Sequence, residues 1–222
     1  AGSRPGPVDA FRCLSPVSTC HRRILSGTLY LIATPLGNAE DLSPRARQVL
    51  TQVDCVYCED TRTSGRLFTY LNIQVRSLRS MHAHNEDERS PELIRRLSSG
   101  ENLAVVSDAG TPGISDPGAR AVAAAHDAGF RVSPIVGASA VSALLSVSGV
   151  PGGGHKFLGF LPKSRGARRR LLEAELLTDS VVVLFVPMRE MPEITQLIAD
   201  LSPQSIVVLG RELTKAHEEV LR

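Results

Sequence analysis

Three short stretches of this chain hold residue types that can do chemistry at the end of a strand. The densest is Ser107-Asp108-Ala109-Gly110-Thr111-Pro112-Gly113-Ile114-Ser115-Asp116-Pro117-Gly118, directly after the apolar run Leu103–Val106. Its glycines and prolines leave backbone amides and carbonyls unpaired beside two carboxylates, Asp108 and Asp116, which suits a polar ligand carrying positive charge. A plain loop with aspartates as turn formers and helix caps is the alternative. The second stretch, Thr34-Pro35-Leu36-Gly37-Asn38, follows the run Thr28–Ala33 and lets backbone approach a ligand closely. It lacks both the dinucleotide fingerprint G-x-G-x-x-G and the phosphate loop G-x-x-x-x-G-K-[ST], so neither cofactor class is signalled. The third, Val136-Gly137-Ala138-Ser139-Ala140, ends a strand and opens a helix of small residues; Ser139 is equally well read as that helix's N-cap.

Candidate proton-handling groups lie elsewhere. Glu59 and Asp60 follow the apolar run ending at Cys58, and either could act as a general base or position a hydroxyl. Capping the helix that starts near Thr61 is the competing role. His82 and His84 precede a charged helix start and could titrate near neutral pH, or be solvated loop residues. Lys163, Arg165, Arg168, Arg169 and Arg170 put five cations in eight residues, enough to anchor several phosphates, against the alternative of a solvated helix face. The remaining 20 basic and 23 acidic residues give the rest of the chain a net charge of −3, so any polyanion must be met locally.

These residues need a scaffold, and the patterning describes one. A 222-residue chain with 42% hydrophobic residues can bury a core, and no apolar run is long enough to span a membrane. From Gly27 onward β-branched and Leu-rich runs alternate with helical patterns, which predicts two α/β domains with parallel-rich sheets. Strands are expected at Thr28–Ala33, Asp54–Cys58, Asn102–Ser107 and Arg131–Val136. Helices are expected at Ser43–Gln52, Thr61–Leu71, Pro91–Ser99, with Ser90 as N-cap, and Gly118–Asp127. This first domain spans 27–148. The breaker cluster 149–154 reads as a linker. A second domain, 155–222, is expected to hold strands Lys156–Leu161, Ser180–Val186 and Gln204–Leu209 with helices Gly166–Leu177 and Met191–Asp200. So few strands suggest a truncated domain and a fragment of a longer protein. Residues 1–26, rich in Arg and Pro and nearly free of acids, read as a disordered leader, either a transit-like segment or a mispredicted start.

Four cysteines, Cys13, Cys20, Cys55 and Cys58, are too few for a secreted disulfide framework and point to a reducing, cytoplasmic setting. Cys55-x-x-Cys58 has metal or redox spacing. Residues three apart on a strand face opposite ways, however, so buried structural thiols and no metal are expected.

With those residues in view, the chain from Gly27 to Arg222 resembles the ribosomal RNA small-subunit methyltransferase I family, a branch of the tetrapyrrole methylase superfamily. The resemblance is carried by Gly27–Asn38, Glu59-Asp60-Thr61-Arg62, His82 to Glu86, Ser107 to Gly118, Gly159-Phe160-Leu161-Pro162, and Arg211-Glu212-Leu213-Thr214-Lys215 with His217-Glu218-Glu219. It implies S-adenosylmethionine in a cleft between domains, a homodimer, and 2′-O-methylation of a cytidine ribose in the decoding centre of 16S rRNA, on naked rRNA or the small subunit. Carried over by position, the cofactor would touch Pro35, Asp108, Gly110, Thr111, Pro112, Gly113, Ile114, Ser115, Gly137, Ser139, Ala140, Leu161, Arg211, Glu212, Leu213 and Thr214. The sequence departs from the family where a Glu-Ser/Ala-Pro-His-Arg segment becomes Val186-Pro187-Met188-Arg189, and a Pro-Gly-Pro-Ser loop becomes Val136-Gly137-Ala138-Ser139. The rival readings are a tetrapyrrole methylase, which should lack the basic run, and a non-catalytic ligand-binding module.

Overall fold

A computed structural model describes residues 26–151 and 154–222. The expected leader and the middle of the expected linker, with Cys13 and Cys20, lie outside the described residues. Five parallel strands form the larger sheet: β1 (Thr28–Ile32), β2 (Cys55–Cys58), β3 (Leu78–Ser80), β4 (Leu103–Val106) and β5 (Arg131–Ile135), in the order β3-β2-β4-β1-β5. Every residue of β2 and β4 is buried, as befits central strands of a parallel sheet covered on both faces. Cys55 and Tyr57 enter one core cluster while Val56 and Cys58 enter the other, so the two thiols do face opposite ways. No metal-ligand cluster occurs among the described residues.

Helix α1 (Pro44–Gln52) starts where Ser43 accepts from the Ala46 amide and Pro44 occupies the first turn. Helix α2 spans Thr61–Tyr70, α3 Glu86–Ser98, α4 Ala119–Asp127 and α5 Ala140–Val147. Ala46, Leu50 and Phe68 bring α1 and α2 onto one face of the sheet; Leu93, Leu97, Ala121 and Ala125 bring α3 and α4 onto the other.

Helix α3 begins five residues before the expected Pro91, which lies inside it. Ser90 is not its N-cap: the hydroxyl turns back onto the Glu86 carbonyl, while Glu86, Asp87 and Glu88 supply the acidic first turn that favours a helix dipole. Strand β3 went unpredicted because three residues, none of them buried, leave no periodic signal.

After residue 154 come β6 (His155–Phe160), α6 (Arg165–Leu176), β7 (Val181–Phe185), α7 (Met191–Leu201), β8 (Leu209–Arg211) and β9 (Glu219–Leu221). Strands β6 and β7 pair in parallel, with an irregularity between Phe157 and Gly159; β8 and β9 pair antiparallel. Residues 204–208 of the expected strand Gln204–Leu209 are not strand. Ser205 instead closes a turn onto Ser202 through both backbone and hydroxyl, and pairing begins only at Leu209. Leu172, Ile194 and Ile198 centre a third core cluster. Among the described residues no helix is long and apolar enough to cross a membrane.

Candidate functional site

Strand β4 lies between β2 and β1. The helices that follow its two neighbours, α2 and α1, go to one face of the sheet, while α4, which follows β4, goes to the other. Where adjacent chains part in this way a crevice opens beyond the carboxyl ends of the strands. Three of the expected loops rim it and are fastened to one another. Thr34 and Gly110 exchange both backbone hydrogen bonds at 2.9 Å, and the Thr34 hydroxyl donates to the Ser107 carbonyl at 3.0 Å. Thr111 donates to the Ala138 carbonyl at 3.0 Å, joining the second loop to the third. Gly137 runs so close to β1 that a Cβ there would lie 2.9 Å from the Ala33 Cβ.

The central loop is shaped by backbone that side chains resist. Gly110, Gly113 and Gly118 all have positive φ, at 81°, 79° and 132°. Gly118 caps α4 but has no side chain to do so. The cap comes from α3: Oε1 of the buried Glu86 accepts from the amides of Gly118, Arg120 and Ala121 at 3.0, 3.0 and 3.1 Å. One carboxylate therefore pins the loop's exit.

Acidic groups gather at the floor of the crevice. The Asp60 amide donates to Asp108 at 3.3 Å, joining the end of β2 to the end of β4. Burial, followed by Asp108 and Asp116, raises the Glu59 carboxyl above its ordinary range. Burial raises Asp108 and Asp116 as well; the hydrogen bond from the Asp60 amide opposes the rise at the first, and the Asp108 carboxylate reinforces it at the second. Asp60 goes the other way: hydrogen bonds from the Arg62 side chain and amide lower it. Asp60 is thus the N-cap of α2, and its carboxylate is committed to Arg62. His84 donates its amide to Nδ1 of His82, and His82 lies close enough to counter part of the rise at Glu59. Above this floor Ile114 and Val136 expose apolar side chains, 58% and 78% accessible.

Residues from the second half of the chain reach the same rim. Ser115 Oγ sits 3.5 Å from where a Cβ on Gly159 would be, and Gly159 takes positive φ in the irregular part of β6. The Asn38 amide donates to the Thr214 hydroxyl at 3.1 Å, and Lys215 lies over Gly37. Glu212 and Thr214 both adopt positive φ, at 50° and 66°, which is strained backbone for residues with a Cβ and for Thr above all. Arg211 faces Glu219 across the β8-β9 pair. Leu161 packs on the third core cluster, and Ser139 starts α5 without a capping hydrogen bond from its side chain.

The basic run is not one surface. Arg168 is 6% exposed and paired with Glu190 at 2.8 Å and Glu193 at 3.5 Å, with Nε on the Pro162 carbonyl. It is a structural residue with no free donor fork for a phosphate, which corrects the expectation drawn from sequence. Arg165 pairs with Glu193 and Arg169 with Glu173, both in solvent; Lys163 and Arg170 are exposed.

Residues 28–222 match the family described as Tetrapyrrole (Corrin/Porphyrin) Methylases. A ribosomal RNA small subunit methyltransferase I from Xylella fastidiosa is 46% identical over 88% of this chain and 71% of its own length. Its namesake from Leptospira biflexa is 40% identical over 88% of this chain and 81% of its own. The chain belongs to this methyltransferase I family. Solved structures share the fold at low identity. A cobalt precorrin-4 methyltransferase of cobalamin biosynthesis superposes with a TM-score of 0.63 at 15% identity, covering 87% of this chain and 84% of its own. A uroporphyrin-III-C-methyltransferase from Thermus thermophilus gives 0.57 at 19%, covering 88% and 82%. Glu86 was not singled out from the sequence as a site residue, although it stood in a stretch that carries the family resemblance. Its clue was a carboxylate at the start of a helix preceding a glycine that cannot cap its own.

Proposed function

We propose that the chain transfers a methyl group from S-adenosylmethionine to small-subunit ribosomal RNA, at the 2′-hydroxyl of a cytidine in the 16S decoding centre. The observation that carries this reading is the crevice at the end of β4, where positive-φ glycine backbone, exposed Ile114 and Val136, and the carboxylates Asp108 and Asp116 meet. That donor set fits the cofactor: apolar side chains for its adenine, carbonyls and amides for its polar edges, carboxylates for its positive charges. Bound there, against Pro35, Gly110 to Ser115, Gly137 to Ala140 and Arg211 to Thr214, it would supply an electrophilic methyl group. The relatives' names support rRNA as acceptor.

Of the candidate bases, Glu59 suits the task best. Its carboxyl holds a proton more readily than an ordinary glutamate, whereas Asp60 is locked to Arg62. Glu59 takes the proton of the ribose hydroxyl, and His84 lines the approach. We assign the cofactor-binding domain to 27–148 and the second domain to 155–222, and read the assembly as a homodimer. Light scattering checks the last point.

The deciding experiment uses tritiated S-adenosylmethionine with naked 16S rRNA, small subunits and a porphyrinoid. Label should enter RNA at a cytidine ribose, and Glu59→Gln should slow transfer by roughly 100-fold or more with cofactor affinity kept. Label in the porphyrinoid alone, or none in any acceptor despite cofactor binding, refutes the reading.

A further inference from the structure

The outer face of α2 combines features found on no other described helix. Its buried residues are Ser64 and Phe68; turned away from them at four-residue spacing are Arg62, Arg66 and Tyr70, flanked by Thr63 and Thr69. Tyr70 is 76% exposed, an unusual position for a ring that burial would stabilise. Neither α2 nor its neighbour α1 contains an acidic residue, and α1 adds Arg45 and Arg47. Arg47 donates to the Leu71 carbonyl at the carboxyl end of α2, which brings its guanidinium to the turn that carries Tyr70. The stripe starts at the crevice, beside Asp60, and at 1.5 Å per residue runs about 12 Å down the helix to Tyr70. On α2 Arg62 is answered by Asp60 and Arg66 by no acid of α1 or α2, whereas on α6 Arg165, Arg168 and Arg169 are all answered by glutamates within the chain.

We propose that this stripe is a track for single-stranded RNA leading into the crevice, with Arg66 and Arg47 on phosphates and Tyr70 stacked on a base, while Arg62 stays paired with Asp60 at the crevice end. The identity of the polyanion rests on the rRNA reading above. A positive groove with an aromatic platform is how single strands are held without reading their sequence. A second copy of the chain fits the same face poorly, because a two-fold contact would set arginines against their own equivalents.

Fluorescence anisotropy with a short labelled single-stranded RNA, at several salt concentrations, tests the track. All substitutions are at exposed positions. Arg66→Ala should lower the slope of log affinity against log salt by about 0.7, the value for one phosphate contact on a single strand. Tyr70→Ala should weaken binding by roughly tenfold at unchanged slope, and Tyr70→Phe should restore it, since stacking needs the ring and not the hydroxyl. Arg95→Ala, on the far side of the sheet, should bind like the parent. Parental affinity and slope in both Arg66→Ala and Tyr70→Ala overturn the track. A shift in oligomeric state with RNA affinity kept overturns it too, making this face a contact between copies. If the parent itself binds no RNA, the rRNA reading fails first and the track with it, a failure visible before any substitution is made.

Discussion

Replacing Glu86 with alanine should destabilise the protein far more than removing an ordinary surface carboxylate. Its Oε1 accepts from three amides of another helix, at 3.0 to 3.1 Å, and the side chain is buried. Losing an ordinary N-cap costs about 0.5–2 kcal/mol. Here the acceptor is a carboxylate, whose hydrogen bonds are about twice as strong as neutral ones, and the amides of Gly118 and Ala121 would be left in a buried setting. A loss of about 3 kcal/mol follows, more than 100-fold in the folding equilibrium and a large share of the roughly 5–15 kcal/mol that holds a protein folded. Glu86→Gln keeps an acceptor oxygen and gives up the charge at the α4 amino end, so about 1 kcal/mol should suffice there. Urea titration of the three proteins, at equal m-value, reads both numbers. If Glu86→Ala falls within 0.5 kcal/mol of the parent, or Glu86→Gln is as damaging as Glu86→Ala, the carboxylate is not the cap described.

The same measurement separates the arginines of α6. Arg168→Ala strands Glu190 and should lose about 2 kcal/mol, while Arg170→Ala should lose less than about 0.5 kcal/mol, so equal effects would contradict the burial of Arg168. Burial and Asp108 raise the Asp116 carboxyl, so the folded chain binds that proton more tightly than the unfolded one. Stability is therefore lost as pH rises from the unfolded value through the folded one, and stays lost above it. Asp116→Asn should raise Tm at pH 7 and leave it unchanged well below the ordinary aspartate range; an unaltered or lower Tm at pH 7 would contradict the shift. Burial pushes the Cys58 thiol up to about 11, so iodoacetamide at pH 8 should label it only after denaturation, as read by peptide mass mapping. Rapid labelling of the native protein would mean that β2 opens.

The elements legible in the sequence were those whose burial leaves a pattern. Runs such as Leu103–Val106 are apolar because both faces of their strand are covered, and Ser43-Pro44 is a start signal written entirely in local residues. Ser90-Pro91 carries the same local signal and misleads, because the three acids before it and the contact of Glu86 with α4 extend the helix upstream. Loop composition marked the stretch with unusual backbone, since the glycines stand where Gly110 and Gly113 adopt positive φ. Charge was the poorest guide. Spacing alone made Arg168 look like a phosphate anchor, and only the approach of Glu190 from 22 residues away shows it to be interior. The acids of the floor were each visible, Asp108 and Asp116 in one loop and Glu59 as a candidate base; that Glu59 meets the other two was not, because it lies about fifty residues upstream and strand order alone brings the end of β2 beside the end of β4.

That strand order also constrains how the chain can be made. Strand β1 leaves a ribosome before either neighbour, for its partners are Leu103 for Leu29 on one side and Arg131 for Thr28 on the other. At about 5–20 residues per second, some 4–15 s pass before even the nearer partner has been synthesised. For that interval Thr28–Ile32 is an apolar, β-prone segment with both edges open, the kind of segment that holdase chaperones bind and that pairs with the wrong chain when they do not. Slowing translation between Cys58 and Leu103 should therefore lower the yield of native protein more than the same pause placed after Ile135.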